Sequence, residues 1–261
     1  MYGFDYHRPA ALSDVVTLLI ADEDAKVLAG GQTLIPTLKQ RLAMPTSLVD
    51  LSAVPGLREI VAEGDGVRIG AMATHAAVAG SACVRGILPG LADLASHIGD
   101  AQVRNRGTIG GSIANADPAA DYPAALVALD AVIRTDRRDI AAGDFFTGLF
   151  ETALQPGEVV TSIFFPAASH ARYAKFPNPA SRYAMAGVFV ARQGDSVRVA
   201  VTGAGPCVFR WDAAEAALTA AFRAEALDGL VLDADGLNTD MHADAAYRAH
   251  IVAVLARRAI A

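Results

Sequence analysis

The stretch Gln102-Val-Arg-Asn-Arg-Gly-Thr-Ile-Gly-Gly-Ser-Ile-Ala-Asn-Ala-Asp-Pro-Ala-Ala-Asp121 is the densest cluster of turn-forming and hydrogen-bonding residues in the chain. A shorter diglycine element, Ala29-Gly30-Gly31-Gln32-Thr33, lies upstream of it. We predict that each diglycine lies in a loop where an extended segment meets another element. Glycine lets backbone N–H groups approach an anion closely, and Thr33, Thr108 and Ser112 add hydroxyl donors. Two such loops facing each other can bind a pyrophosphate without a basic residue, although a single diglycine is more typical of an ordinary tight turn.

Other nucleotide-binding loops are missing from the sequence. No segment satisfies the G-x-G-x-x-G pattern, because Gly64-Asp-Gly66 and Gly203-Ala-Gly205 are followed by Ile69 and Val208 where the third glycine belongs. A P-loop is absent as well. A dinucleotide would therefore have to be bound by a different loop structure.

The spacing of apolar residues predicts an α+β protein. Around the first diglycine we expect a helix over 12–20, a strand over 26–29, a helix over 34–42 and a strand over 47–51. The remaining predicted elements are a hairpin of 57–62 and 67–71, helices within 74–98, a helix over 122–129, strands over 131–135, 138–141, 159–165, 185–192 and 196–202, and helices over 212–224 and 243–259. The segment 167–181, which carries Pro177 and Pro179, is predicted to be a connection between units. We expect domains at 1–168, with subdomains of about 1–53 and 54–168, and at 169–261.

Composition excludes several classes of function. The 261 residues are 53% hydrophobic, which is ample for a buried core, but no segment approaches the roughly 20 apolar residues of a membrane helix. The N-terminus lacks the pattern of a signal peptide, so a soluble, cytoplasmic protein is expected. A net charge of −6 without a basic run argues against nucleic acid. Cys83 and Cys207 stand alone, which argues against a metal or iron–sulfur site in this chain.

The Ala29–Thr33 element, the long glycine-rich stretch that follows it and four further motifs together resemble the FAD-binding medium subunit of molybdenum hydroxylases, the family of the carbon monoxide dehydrogenase medium subunit and the xanthine dehydrogenase flavin domain. The further motifs are Phe4-Asp-Tyr-His-Arg-Pro9, Ile69-Gly-Ala-Met-Ala-Thr-His75, Asp144-Phe-Phe-Thr-Gly-Leu-Phe-Glu-Thr152 and Tyr173-Ala-Lys-Phe176. The resemblance implies a two-subdomain FAD-binding region of the vanillyl-alcohol-oxidase (PCMH) type. A small C-terminal domain of antiparallel sheet and helices, of the carbon monoxide dehydrogenase flavoprotein type, would follow it.

The resemblance also implies a set of cofactor-binding residues. The first pyrophosphate loop would comprise Ala29, Gly30, Gly31, Gln32, Thr33 and Leu34, and the second Thr108, Gly110, Gly111 and Ser112. Asp121 would hydrogen-bond a ribityl or ribose hydroxyl. Ile98 and Val160 would contact the flavin or adenine, Lys175 the cofactor, and Tyr183 the isoalloxazine. The chain has Thr33 where serine is usual in the family, and Ser112 and Asp117 where asparagine and serine are usual.

Simpler alternatives exist for several of these residues. Asp117 and Asp121 each precede a proline-containing segment and could cap a helix. Lys175 by itself would be a solvated side chain. His75 and His97 have no partner carboxylate at a useful spacing, so no catalytic residue is predicted. Arg104 and Arg106 fit either a phosphate contact or the docking of a partner subunit, and the sequence does not separate the two.

The function implied by the resemblance is electron transfer through FAD. In that family a large subunit with a molybdenum cofactor hydroxylates the substrate, and a small subunit with two [2Fe–2S] clusters passes the electrons to the FAD. We therefore expect both partners, a dimer of heterotrimers, and an external electron acceptor. The expected location is the cytoplasm, with peripheral attachment to the inner membrane through the complex as an alternative. The rival functions are a freestanding flavin oxidoreductase and an assembly factor that has lost FAD.

Overall fold

The first unit of the fold is a small parallel sheet that ends at the first diglycine. The computed structural model describes residues 1–260. Strand order is β1-β3-β2, and both pairs are parallel. The elements are β1 (Asp5–His7), α1 (Leu12–Ala21), β2 (Lys26–Leu28), α2 (Leu34–Lys39) and β3 (Ser47–Asp50). The β-loop-α-β unit predicted from sequence is present, but α2 is shorter than expected and ends just before Arg41, which has a positive φ of 61°.

A five-stranded antiparallel sheet and a layer of helices form the second unit. The strand order is β4-β5-β10-β6-β7, with β4 (Ile60–Glu63), β5 (Gly66–Gly70), β6 (Val132–Thr135), β7 (Asp139–Ala141) and β10 (Val160–Pro166). The helices are α3 (His75–Gly80), α4 (Ala82–Ile87), α5 (Pro89–Ser96), α6 (Ala101–Arg106), α7 (Ile109–Asn115), α8 (Tyr122–Ala128) and α9 (Ala142–Phe145). A hairpin of β8 (Phe146–Gly148) and β9 (Glu151–Thr152) precedes β10. The main core lies between this sheet and its helices.

The third unit is a four-stranded antiparallel sheet, β11-β12-β13-β14. Its elements are β11 (His170–Pro177), β12 (Ala184–Gln193), β13 (Ser196–Thr202), β14 (Phe209–Arg210), α10 (Asp212–Ala220) and α11 (Ala245–Arg258). The prediction of a connection over 167–181 was wrong, because β11 occupies most of it. The prolines mark the end of that strand, since Pro177 is its last residue and Pro179 follows in the next turn.

This third sheet is covered on both faces. Phe189 and Ala191 of β12 belong to the main core, whereas Val188 and Val190 belong to a second core with α10 and α11. Side chains of a strand alternate between its two faces, so consecutive apolar residues are what a doubly covered strand requires. The sheet therefore packs on one side directly against the helices of the second unit.

No helix within residues 1–260 is long and apolar enough to cross a membrane.

Candidate functional site

The two diglycine elements meet across a short distance. A Cβ atom on Gly30 would lie 2.2 Å from the carbonyl oxygen of Arg106 and 2.8 Å from the Cα of Gly107. A Cβ on Gly111 would lie 3.6 Å from the Cβ of Ala29. The first loop thus packs its backbone directly on the chain that leads into Thr108, and at Gly30 only glycine fits.

The first element is a loop with free backbone donors. Gly31 has a φ of +73°, which favours glycine because other side chains are strained there. Across the described range 1–260, the N–H groups of residues 30–33 donate to no protein acceptor, while the Gly31 carbonyl accepts from the Ile35 N–H at 3.1 Å. Adjacent free N–H groups in one loop are suited to an anion.

The second element is the first turn of α7, so the prediction of a loop at 108–112 was wrong. The Thr108 hydroxyl caps this helix and accepts from the Gly111 N–H at 3.2 Å. The Gly110 N–H donates to the Ala71 carbonyl at 2.9 Å, and the Ser112 N–H to the Thr108 carbonyl at 3.0 Å. These N–H groups already have partners. Glycine is needed here for close packing, because a Cβ on Gly110 would lie 2.6 Å from the Cβ of Ala71.

A cavity of about 540 Å³ lies between the two elements. This volume is within the usual range for a site that buries most of a cofactor. Of the fifteen residues expected to bind a cofactor, fourteen line it: Ala29, Gly30, Gly31, Gln32, Thr33, Leu34, Ile98, Thr108, Gly110, Gly111, Ser112, Asp121, Val160 and Tyr183. Lys175 is the exception, since it lies behind Asp121 and is absent from the lining.

Asp121 forms a buried ion pair and does not cap a helix. Its side chain accepts no hydrogen bond from the first turn of α8. Instead, the Lys175 ammonium lies 2.8 Å from Oδ1 and 3.0 Å from Oδ2, and the Tyr173 hydroxyl donates to Oδ1 at 2.6 Å. Lys175 is therefore not solvated. Burial raises the pKa of the Asp121 carboxyl, and the positive charge of Lys175 opposes that rise.

Asp117 does not cap a helix either, because the chain turns at 118–120 before α8 begins. Its Oδ1 accepts from the Ala119 N–H at 2.8 Å, which stabilises that turn. Asp117 lines the cavity, and partial burial raises the pKa of its carboxyl. It is a second acidic side chain at this wall.

His75 lines the cavity as a neutral imidazole. It is 4% exposed, and burial, assisted by the charge of Arg104, lowers its pKa to about 4. Its Nδ1 atom has no hydrogen-bond partner among residues 1–260. Arg104 donates to the carbonyls of Ile98 and Gly99, at 3.0 and 3.1 Å. Arg104 therefore orders the segment that places Ile98 in the wall, a role that sequence reasoning did not find.

Glu158 anchors the wall formed by Leu154, Val159 and Val160. Its side chain is fully buried, and Arg138 donates to both oxygens, at 2.9 and 3.1 Å. The Gln155 N–H donates to Oε2 at 2.8 Å. The hydrogen bond from Arg138 is the largest cause that lowers the pKa of Glu158 to about 2, against the opposing effect of burial.

We expect Glu158→Gln to destabilise the fold by roughly 3 kcal/mol, because it removes one charge of a pair whose carboxylate is buried. The folded pKa of Glu158 is below its ordinary value of 4.5. Its contribution to stability is therefore complete above about pH 4.5 and is lost as the pH falls towards 2. Urea unfolding at pH 7 and at pH 3 checks this, and the gap between wild type and variant should narrow at pH 3. An equal gap at both pH values contradicts the assignment.

Comparison with known proteins identifies the family. A family model described as the FAD binding domain in molybdopterin dehydrogenase matches residues 2–168, more than half of the chain. The chain belongs to this family. Its relatives include the nicotine 6-hydroxylase medium subunit of Paenarthrobacter nicotinovorans, 38% identical over 98% of this chain and 95% of that protein. The carbon monoxide dehydrogenase medium chain of Hydrogenophaga pseudoflava is 36% identical over 98% of this chain and 96% of that one.

Solved structures show the same fold. The reconstituted CO dehydrogenase from Oligotropha carboxidovorans contains a chain that matches this one with a TM-score of 0.90 at 35% identity, covering 99% of this chain and 96% of that chain. The family resemblance and the α+β fold class predicted from sequence are thereby confirmed. The chain is an FAD-binding medium subunit of the molybdenum hydroxylase type, and FAD is its cofactor.

The residues of the cavity fit FAD. The free N–H groups of residues 30–33 are donors for a diphosphate, and Gly30 leaves no side chain between the two elements. Ile98 and Val160 offer apolar surface, and Asp121 offers acceptor lone pairs for a hydroxyl. No group of His, Cys, Asp or Glu that could hold a metal is found in residues 1–260.

Several residues of the cavity wall were missed in the sequence. They include Gly99, Val103, Asn115, Leu154, Glu158 and Arg182. Each lies within a few residues of one that was expected, so proximity to the motifs was the only available signal. The ion pair of Glu158 could not be found that way, because its partner Arg138 is twenty residues away in the sequence.

Proposed function

We propose that this chain is the electron-relaying subunit of a heterotrimeric molybdenum hydroxylase. It accepts electrons from the [2Fe–2S] clusters of a small partner subunit and passes them to an external acceptor. The main support for the proposal is that the two diglycine elements meet at a cavity of about 540 Å³. The first of these elements has free backbone N–H donors. FAD, when bound, supplies the electron-carrying chemistry.

The residues of this chain then act by binding and orienting the cofactor. We assign the N–H groups of residues 30–33 to the diphosphate, with the Thr108 and Ser112 hydroxyls on the opposite side. Asp121 holds a hydroxyl of the ribityl or ribose, and Ile98 and Val160 exclude water from the rings. Tyr183, 44% exposed at the rim of the cavity, covers the isoalloxazine. No side chain here is assigned as an acid or base.

The partners complete the proposed complex. A large subunit carries the molybdenum cofactor, a small subunit carries two [2Fe–2S] clusters, and the assembly is a dimer of heterotrimers in the cytoplasm. The relatives are named for chemically unlike substrates, nicotine and carbon monoxide. This supports the placement of substrate selection in another subunit. We retain the proposed division into an FAD-binding domain, 1–168, and a C-terminal domain, 169–261.

The test separates a relay from a freestanding enzyme. In the native complex, substrate should reduce both the iron–sulfur clusters and the flavin. After removal of FAD, we expect cluster reduction to persist and transfer to the external acceptor to fall at least a hundredfold, because the path through this chain is broken. Absorbance in an anaerobic stopped flow measures both steps. Reduction of the flavin by substrate in the isolated chain, without any partner, would instead establish a freestanding flavin oxidoreductase.

A further inference from the structure

Two side chains of β11 hold the Asp121 carboxylate from behind the cavity wall. Asp121 lines the cavity, whereas Tyr173 and Lys175 do not. Tyr173 donates to Oδ1, and the Lys175 ammonium contacts both oxygens. The same ammonium donates to the His97 carbonyl at 3.1 Å, at the end of α5. The network therefore joins the third sheet to two segments of the cofactor site.

The spacing along β11 explains how both residues reach Asp121. Residues at i and i+2 of a strand lie on the same face, so Tyr173 and Lys175 share the face that packs against α5 and α8. The ammonium donates to Oδ2 of Asp121 and to the His97 carbonyl, it lies 2.8 Å from Oδ1, and its side chain is only 6% exposed. Its orientation is thus fixed by the protein itself.

The neighbouring strand is shaped to admit the Tyr173 phenol. Gly187 of β12 pairs with Lys175 in the sheet register. A Cβ on Gly187 would lie 2.3 Å from the Tyr173 hydroxyl oxygen and 2.9 Å from its Cζ. Only glycine at this position lets the hydroxyl reach Asp121.

A buried ion pair is a poor device for stability alone. Removing two charges from water costs about as much as their attraction returns, and apolar residues of similar size often serve the fold as well. The network does, however, fix the plane of the Asp121 carboxylate from one side. A carboxylate has about four acceptor positions, and the network occupies at most three, so a lone pair on Oδ2 remains for a donor in the cavity.

We propose that Tyr173 and Lys175 are positioning residues that orient Asp121 towards a hydroxyl of bound FAD. The inference rests on the proposed contact between Asp121 and the cofactor. Lys175 then acts through Asp121 and makes no cofactor contact of its own, unlike the role implied by family resemblance. The third sheet contributes to FAD affinity without lining the cavity at this point.

The proposed orientation of Asp121 also depends on its carboxylate being charged. Lys175 and Tyr173 face it from β11, His97 from the end of α5, and Tyr122 from its own helix. Tyr183 and Asp117 lie on the cavity side, and both line the cavity. Lys175 is the cation that lowers the pKa of Asp121 most, against the rise caused by burial. Without Lys175, the carboxyl should take up a proton at a higher pH.

The first test removes one oxygen atom. Tyr173→Phe keeps the ring that stacks on Phe189 and should weaken FAD binding by the flavin-stripped full chain roughly tenfold, because the Asp121 carboxylate loses one of the two side chains that orient it. Quenching of FAD fluorescence measures the Kd. Tyr6→Phe is the matched control, because Tyr6 also donates to a carboxylate, that of Asp50 at 2.5 Å, outside the cavity lining. It should leave the Kd unchanged.

The second test asks whether Lys175 acts through Asp121. Lys175→Met should weaken FAD binding more than tenfold at pH 7, and the midpoint of the pH dependence of binding should move upwards. In an Asp121→Asn background, Lys175→Met should change the Kd less than twofold. A merely structural lysine would lower stability in both backgrounds and would not move the pH midpoint.

The outcomes distinguish a failure of the proposed function from a failure of the inference about Tyr173 and Lys175. If wild-type chain fails to bind FAD, the proposed function is wrong. If wild type binds and both Tyr173→Phe and Lys175→Met bind equally well with an unchanged pH profile, the inference is overturned and the proposed function stands. A large effect of Lys175→Met that persists in the Asp121→Asn background also overturns it, because Lys175 would then contact the cofactor directly.

Discussion

Replacing Gly30 with alanine should weaken FAD binding by the full chain at least a hundredfold, roughly 2.7 kcal/mol. The new Cβ would lie 2.2 Å from the Arg106 carbonyl oxygen. No rotamer change relieves this overlap, because both atoms are fixed to the backbone. The first loop must move away from the segment before α7, and its free N–H groups move with it. Fluorescence quenching of FAD on the stripped chain gives the Kd.

A matched glycine substitution isolates the effect of position. Gly143→Ala adds the same methyl group where nothing lies within 4 Å, so its Kd should equal that of wild type. Far-UV circular dichroism should show both variants folded. An alanine at position 30 that binds FAD as tightly as wild type would remove the main support for the proposed diphosphate site.

The first loop could be predicted from sequence because its signals are local. A short apolar strand, two glycines and a helix follow one another within 26–39, and this order alone indicates a backbone loop at a strand end. The same reasoning gave a wrong prediction for the second element, which is the start of a helix. Gly110 is needed for contact with Ala71, a residue that is distant in the sequence, and a diglycine does not reveal whether it makes a turn or the start of a helix.

Strand β11 could not be predicted because its pattern is mixed. Of its eight residues only Ala171 is buried as a whole residue, and the strand ends in proline. Its polar residues Tyr173 and Lys175 are accommodated by a partner, Asp121, more than fifty residues away. Pairing over such distances leaves no periodic signal. The neighbouring β12 was predicted because both its faces are apolar, and that property is visible in the residues themselves.

The largest effect on stability should come from Gly90→Ala in α5. Helix propensity alone predicts that this change stabilises the protein by up to about 1 kcal/mol. Packing predicts the opposite, because a Cβ on Gly90 would lie 1.9 Å from the carbonyl oxygen of Ala171 and 2.5 Å from its carbonyl carbon. The clash is with backbone atoms of β11, which no side-chain rotation can move, so α5 and β11 must separate. We call this contact between Gly90 and Ala171 the seam. We expect destabilisation of about 3 kcal/mol or more, measured by urea unfolding.

A second helical glycine should show the opposite effect of alanine on the free energy of unfolding. Gly86 lies in α4 with nothing within 4 Å of its Cβ position, so Gly86→Ala should raise the free energy of unfolding by about 0.5–1 kcal/mol. The contrast tests whether α5 is pressed against the third sheet as the structure shows. The separation should also reach the cofactor site, because the residue that follows α5 is His97, whose carbonyl accepts from Lys175. Gly90→Ala should therefore weaken FAD binding as well as the fold, whereas a variant with unchanged stability and affinity would show that the seam is loose.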